Sequence, residues 1–226
     1  MTPLVLLPGL LCTPAVWSDV ADLLDGNTLV PDIPALDDIE NIAAALLAGL
    51  PERFALAGLS MGGYVALAMM ARAPERIAAL ALVDTSARAD TEAQAQQRRE
   101  GVARARDGGF SAMLPKLATF LLHPQADPAV QARVVAMGTA VGVDTFALHQ
   151  AAISRRPDRR GLLGGIGCPA SVLVGEADRL TTPELAREMA EAIPGATLEI
   201  IPGAGHVTPL ERPGLVAAAL QRWRHA

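Results

Sequence analysis

Aromatic side chains are scarce in this chain: four Phe, two Trp and one Tyr among 226 residues. A large ring-lined cavity is therefore not expected, and an apolar pocket has to be built from aliphatic side chains. Two cysteines, Cys12 and Cys168, are too few for a disulfide framework and offer no Cys/His metal spacing. Both read as reduced thiols, Cys12 as a small buried filler. No apolar run is long enough to span a bilayer, and the apolar N-terminal stretch has no basic flank and contains Pro8-Gly9. It reads as a first strand rather than a signal peptide, and a cytoplasmic location is expected. A net charge of −5 and the lack of a basic tail argue against nucleic acid. What the chain does have is apolar bulk, 51% of its residues. One domain of this size can bury a large core with no metal or disulfide to staple it.

Strand-like runs near 3–7, 28–30, 53–58, 77–83, 171–175 and 197–201 alternate with helical patterns near 15–25, 38–50, 61–73, 183–193 and 213–224. Such alternation builds βαβ units, so the expectation is an α/β fold with a mainly parallel sheet of about six strands flanked by helices. Between the fourth and fifth strands the pattern breaks. Residues 86–165 hold several helix-like stretches and no convincing strand, which divides the chain into a core of 1–85 and 166–226 and a helical insertion lying over the strand ends. No internal repeat is present, and the one biased tract is the Ala/Arg/Gln-rich piece 87–106.

Gly58-Leu59-Ser60-Met61-Gly62 carries the chemistry. It follows the apolar run Phe54-Ala55-Leu56-Ala57 and opens a helix with almost no polar face. A serine at such a strand-to-helix turn is forced into a strained backbone, its hydroxyl stands above the sheet, and the glycines on either side avoid a collision that a Cβ would cause. The free N–H of Met61 at the helix start can face a developing negative oxygen.

A serine nucleophile needs a base, and four histidines compete for the role. His206 lies in Gly203-Ala204-Gly205-His206, just after the strand Leu198-Glu199-Ile200-Ile201, where sites form in parallel sheets. His123 precedes Pro124 in a helix-ending turn, His149 lies within a helix and His225 is the penultimate residue, so these three read as solvated or packed. For the acid, Asp178 follows the strand Ser171-Val172-Leu173-Val174, in a loop leading to a capped helix start at Thr181-Thr182-Pro183-Glu184. Asp178 is favoured because its loop immediately precedes the strand that delivers His206. Asp84, at the end of the strand Ala81-Leu82-Val83, is the alternative, and Glu176 a third. The first strand ends in Pro8-Gly9-Leu10-Leu11-Cys12, where the N–H of Leu10, or failing that Leu11, can partner that of Met61 as an oxyanion donor.

With Leu7-Pro8-Gly9, the Ser60 turn, Gly175-Glu176-Ala177-Asp178, Gly203-Ala204-Gly205-His206 and Leu210-Glu211-Arg212-Pro213 in hand, the chain resembles the α/β-hydrolase superfamily over nearly its whole length. It looks most like the small single-domain esterases, including pimeloyl-acyl-carrier-protein methyl esterases and 3-oxoadipate enol-lactonases. The resemblance implies an α/β-hydrolase fold with a helical cap at 86–165, a triad of Ser60, Asp178 and His206, and no required cofactor. One departure is Pro8-Gly9 where the family usually has His-Gly; it bears on the loop geometry more than on the reaction.

The cap supplies Phe110, Met113, Leu114, Leu117, Phe120, Leu121, Met137 and Phe146 at helical spacing. Most should pack the cap onto the core, and a minority, with Leu11, should line a modest aliphatic acyl pocket. Residues 86–165 carry eleven Lys+Arg against seven Asp+Glu, a net of +4 that leaves −9 on the rest of the −5 chain. Arg98, Arg99, Arg104, Arg106, Arg155, Arg156, Arg159 and Arg160 either form a solvated surface or meet an anionic substrate or acidic carrier. The expected activity is hydrolysis of carboxylic esters by acyl transfer. C–C hydrolysis, lyase chemistry and cofactor-free perhydrolysis fit the same residues, and a ligand receptor with a vestigial triad is the reading from another class.

Overall fold

The computed structural model describes residues 2–224, so His225 lies outside the described residues. In chain order the elements are β1 (Leu4–Leu7), a tight turn at Pro14–Trp17 running into α1 (Ser18–Ala21), β2 (Thr28–Leu29), α2 (Ile39–Gly49), β3 (Phe54–Leu59), α3 (Met61–Arg72) and β4 (Ile77–Val83). Then come α4 (Glu92–Arg104), α5 (Phe110–Leu121), α6 (Pro128–Arg155) and α7 (Arg160–Leu163) with no strand between them. The chain closes with β5 (Ala170–Gly175), α8 (Pro183–Ala192), β6 (Thr197–Ile201), α9 (Thr208–Glu211) and α10 (Pro213–Arg224).

The strands form one sheet in the order β2-β1-β3-β4-β5-β6, with every pairing parallel. Val5 lies opposite Leu56, Leu56 opposite Leu80, Leu82 opposite Val172, and Val172 opposite Leu198. Because side chains alternate across a strand, each strand feeds two cores. Val5, Leu7, Leu56, Leu80, Leu82 and Val172 pack under α2, α3 and α8, while Leu4, Leu6, Leu59, Val83 and Leu173 pack under Trp17, Val20, Leu220 and Trp223. The expected six-stranded, helix-flanked sheet is what the chain forms. A short helix that the sequence pattern did not suggest, α9, sits just after His206.

The strand order turns around at β1: the chain adds β2 on one side and then β3 on the other. At such a switch point the loops leaving two neighbouring strands diverge and open a crevice at their C-terminal ends. Here the loop after β1 and the turn after β3 face each other across that crevice. The turn is tight. A Cβ on Gly58 would stand 2.3 Å from the carbonyl oxygen of Gly62, and a Cβ on Gly62 would stand 2.5 Å from that of Leu7. Both obstacles are backbone, so neither can swing aside.

Above the strand ends, α5 and α6 pack on one another and α4 packs on α6. Thr91 starts α4 with a reciprocal pair in which its hydroxyl accepts from the Gln94 N–H while the Gln94 side chain accepts from the Thr91 N–H. One wide turn, Ala105–Gly109, joins α4 to α5 with Gly108 at φ 82°. Gly142, at φ 78° and ψ 165°, breaks the long α6. Gly62→Ala is expected to lower stability by at least about 2 kcal/mol, since backbone rather than side chain must yield. Urea denaturation against Gly49→Ala, where an added Cβ meets nothing within 4 Å, measures the difference.

Candidate active site

Ser60 ends β3 at φ 52° and ψ −113°, a conformation few L-residues adopt. Two bonds hold it there: its N–H donates to the Val83 carbonyl at 2.9 Å, and the Thr85 hydroxyl donates to the Ser60 carbonyl at 2.8 Å. The Ser60 side chain is left partly exposed at the base of the crevice. Its Oγ lies 2.8 Å from His206 Nε2, and His206 Nδ1 lies 2.8 Å from Asp178 Oδ2. With the proton on Nδ1, the imidazole donates to Asp178 and accepts from the serine hydroxyl. Ser60, His206 and Asp178 thus form one hydrogen-bonded series reaching from three different loops.

Each member has its own support. Asp178 Oδ1 accepts from the N–H groups of Leu180 at 2.8 Å and Thr181 at 3.0 Å, and Oδ2 also accepts from the Thr181 hydroxyl at 2.8 Å. Within the expected capped start Thr181-Thr182-Pro183-Glu184, Thr182 is the N-cap of α8 but makes no side-chain capping bond, and the Thr181 hydroxyl is turned inward to the carboxylate. His206 is fixed through its backbone, whose N–H donates to the Leu121 carbonyl at the end of α5 at 2.7 Å. Glu211 braces the same loop: Oε1 accepts from Gly205 and Val207, and Oε2 accepts from the His123 N–H at 2.7 Å.

Asp84 does not reach the imidazole. Its Oδ1 accepts from Gly175 N–H at 2.9 Å, and its Oδ2 from the Thr208 N–H and hydroxyl at 3.1 and 2.7 Å, so it ties β5 to the start of α9. Glu176 is exposed and accepts from Gly203 N–H. Of the other histidines, His149 is buried with Nε2 donating to the Pro34 carbonyl, and His123 accepts from Gln125 N–H.

Charge follows this geometry. Burial pulls the His206 imidazolium down, but the charge of Asp178 and its hydrogen bond, helped by Asp84 and Glu211, outweigh burial and hold the ring above its ordinary pKa. Burial pushes Asp178 up, while His206 and Thr181 outweigh it and keep the carboxyl below its usual range. Asp84 moves the other way. Fully buried and facing Asp178, it is raised to about 8.

Ser60 and His206 open into a cavity of about 80 Å³ walled by Gly9, Leu10, Leu11, Leu114, Leu117 and Leu121. Among the described residues the N–H groups of Leu10 and Met61 have no hydrogen-bond partner in the protein. Leu11, at φ 59°, turns the chain at this point. Four residues expected at the pocket are on its wall: Leu11, Leu114, Leu117 and Leu121. Phe110, Met113, Phe120, Met137 and Phe146 are not. Phe110 and Phe146 pack on each other with ring centroids 5.7 Å apart, Met113 sits beside them, Met137 joins the core under Trp17, and Phe120 is exposed beneath the Arg179 guanidinium. Wall residues not anticipated include Tyr64, Leu180 and Val207, and their positions relative to Ser60, Asp178 and His206 were the available signal. Cys12 also touches the cavity, with a thiol that burial pushes up to about 12, which leaves it protonated.

Most arginines of 86–165 spend their charge inside the molecule. Arg99 pairs with Glu92, Arg104 with Glu100, Arg155 with Asp37, Arg159 with Glu40 and Arg160 with Asp158. Arg98 and Arg156 share Asp90.

Residues 4–219 match the alpha/beta hydrolase family. The chain belongs to that family. Among curated relatives, this hydrolase is 31% identical over 193 residues to a pimeloyl-[acyl-carrier protein] methyl ester esterase of Chromobacterium violaceum, covering 81% of this chain and 74% of the relative. It is 29% identical over 205 residues to a putative non-heme bromoperoxidase of Mycobacterium tuberculosis, covering 87% and 74%. Among solved structures, a malate-bound thermophilic esterase from Thermogutta terrifontis superposes with a TM-score of 0.92 at 30% identity, over all of this chain and 90% of that one. An enol-lactonase from Burkholderia xenovorans gives 0.89 at 25%, over 100% and 92%. Among the described residues of this hydrolase, no helix is long and apolar enough to cross a membrane.

The electrostatics predict how His206 titrates. By NMR its midpoint should lie above that of an ordinary histidine, and Asp178→Asn should lower it, because the neutral amide no longer stabilises the imidazolium. A midpoint unmoved by the substitution would mean that the raised value has another source.

Proposed function

We propose that this hydrolase cleaves carboxylic esters of short to medium acyl chain through an acyl-enzyme on Ser60. The observation that supports the reading best is the Ser60–His206–Asp178 series, opening onto an aliphatic cavity beside two unengaged amides. Ser60 Oγ attacks the ester carbonyl carbon while His206 Nε2 takes its proton. Asp178 keeps the proton on Nδ1 and stabilises the imidazolium. The tetrahedral oxyanion accepts from the N–H groups of Met61 and Leu10, which are oriented before the reaction begins. Its collapse expels the alcohol, which takes the proton from His206. A water deprotonated by His206 then attacks the acyl-serine and releases the acid.

The small cavity limits the acyl group. Each buried methylene contributes about 0.8 kcal/mol only while there is room for it. Activity on a series of p-nitrophenyl esters is therefore expected to climb over the first few carbons and then fall. The name of the Chromobacterium relative supports a methyl ester on an acyl chain borne by an acyl carrier protein as substrate, while most arginines of 86–165 already pair with carboxylates of this chain. The relative named a putative bromoperoxidase favours a second outlet for the same acyl-enzyme, in which hydrogen peroxide replaces water and a peracid leaves in place of the acid.

Ser60→Ala and His206→Ala are each expected to lower kcat by roughly 10³-fold or more with folding retained, because nucleophile and base act as a unit. Stopped assays beside circular dichroism check both. A fluorophosphonate probe followed by peptide mapping should label Ser60; near-normal turnover in either variant, or a label on Cys12, overturns the mechanism.

A further inference from the structure

The cavity wall contains one charged group that acyl transfer does not use. Arg98, on α4, lines the same cavity as Ser60 and His206, and among the described residues no carboxylate lines it. Arg98 is held rather than free. Its Nε donates to Asp90 Oδ2 at 2.5 Å, one terminal nitrogen donates to Asp90 Oδ1 at 3.3 Å, and the other to Gln150 Oε1 at 2.8 Å. A guanidinium has five N–H donors, so two remain on a planar fork whose orientation is already fixed.

Asp90 does not neutralise this charge. Its side chain is 1% exposed and also receives Arg156, which donates at 2.6 Å, stacks on the Tyr64 ring at 4.1 Å and is itself 7% exposed. Two guanidiniums therefore share one carboxylate, and the cluster keeps one positive charge beside an apolar cavity. Neighbouring acids do not correct the balance: Glu92 is engaged by Arg99, Asp37 by Arg155 and Glu40 by Arg159. On its other side Arg98 borders an open groove between α4 and α6, lined also by Arg106 and by the pairs Arg99–Glu92 and Arg155–Asp37.

From this arrangement we propose that Arg98 is a carboxylate-binding residue of the cavity, which selects monoesters of short dicarboxylic acids over neutral esters of equal length. The carboxylate completes the charge balance of the cluster and takes the two remaining N–H donors as a fork, while the chain between it and the ester crosses Leu114 and Leu117. The substrate half of this assignment rests on the ester-hydrolase reading. The binding half does not.

The test has two arms. In the first, Ser60→Ala is titrated by calorimetry with monomethyl glutarate and with methyl pentanoate, alone and combined with Arg98→Met or Arg98→Lys. The expected result is an affinity at least about tenfold higher for the anionic ester, abolished by Arg98→Met and partly kept by Arg98→Lys. In the second, the enzyme with Ser60 intact hydrolyses both esters in a pH-stat, and the ratio of the two kcat/KM values should fall about tenfold or more in Arg98→Met. If Arg98 only anchors α4, both esters suffer equally and neither ratio changes, which overturns the proposal. Equal binding of the two esters to Ser60→Ala overturns it as well. Selective binding without turnover of either ester would instead overturn the ester-hydrolase reading and leave the Arg98 site standing.

Discussion

The site is organised by a contact between two pieces of backbone. The first turn of α3 comes so close to the end of β1 that no side chain fits between Gly62 and the Leu7 carbonyl. That contact sets the height of Ser60 above the sheet and goes with the approach of Gly9 to Leu59 and Ser60. It also requires the shape of the turn itself, because Ser60 can leave β3 and enter α3 in so short a distance only at a positive φ. Strain of this kind persists where the surroundings over-determine it. Here they include the Val83 carbonyl, the Thr85 hydroxyl and an apolar helix buried along its length.

Three acidic side chains surround the imidazole and do different work because their donors differ. Asp178 accepts from the ring and from the turn that follows it, so its charge is directed at His206. Asp84 faces backbone and threonine donors and joins two elements. Glu211 holds the loop that carries His206 and touches the ring only through its field. A single added positive charge on the imidazole is thus stabilised from several sides, while each acid keeps its own hydrogen-bond partners. The apolar surroundings strengthen all of these interactions by excluding water.

Much of this was legible in the sequence because the sheet is simple. The four central strands β1, β3, β4 and β5 are short, almost wholly apolar buried runs, and parallel connections leave few ways to order them. The strand boundaries at Leu4–Leu7, Phe54–Leu59 and Ile77–Val83 follow the apolar runs directly. Ser60, His206 and Asp178 come together because each follows a strand end, a property that sequence order exposes. The cap was harder to read. Its helices have apolar residues on more than one face, so periodicity cannot say which of Leu114 and Phe146 faces the cavity and which the α5–α6 seam. Nor can composition say which arginine is paired: the partners of Arg155 and Arg159, Asp37 and Glu40, lie more than a hundred residues away in the chain.

The end of α5 and the loop bearing His206 are bonded twice, through the Leu121 carbonyl with the His206 N–H and through His123 N–H with Glu211. Mechanically this makes the end of α5 a fixed post for the His206 loop. Lifting α5 at that end would strip the base of its backbone anchor. The position of the base is therefore set by α5 as much as by the strand its own loop leaves.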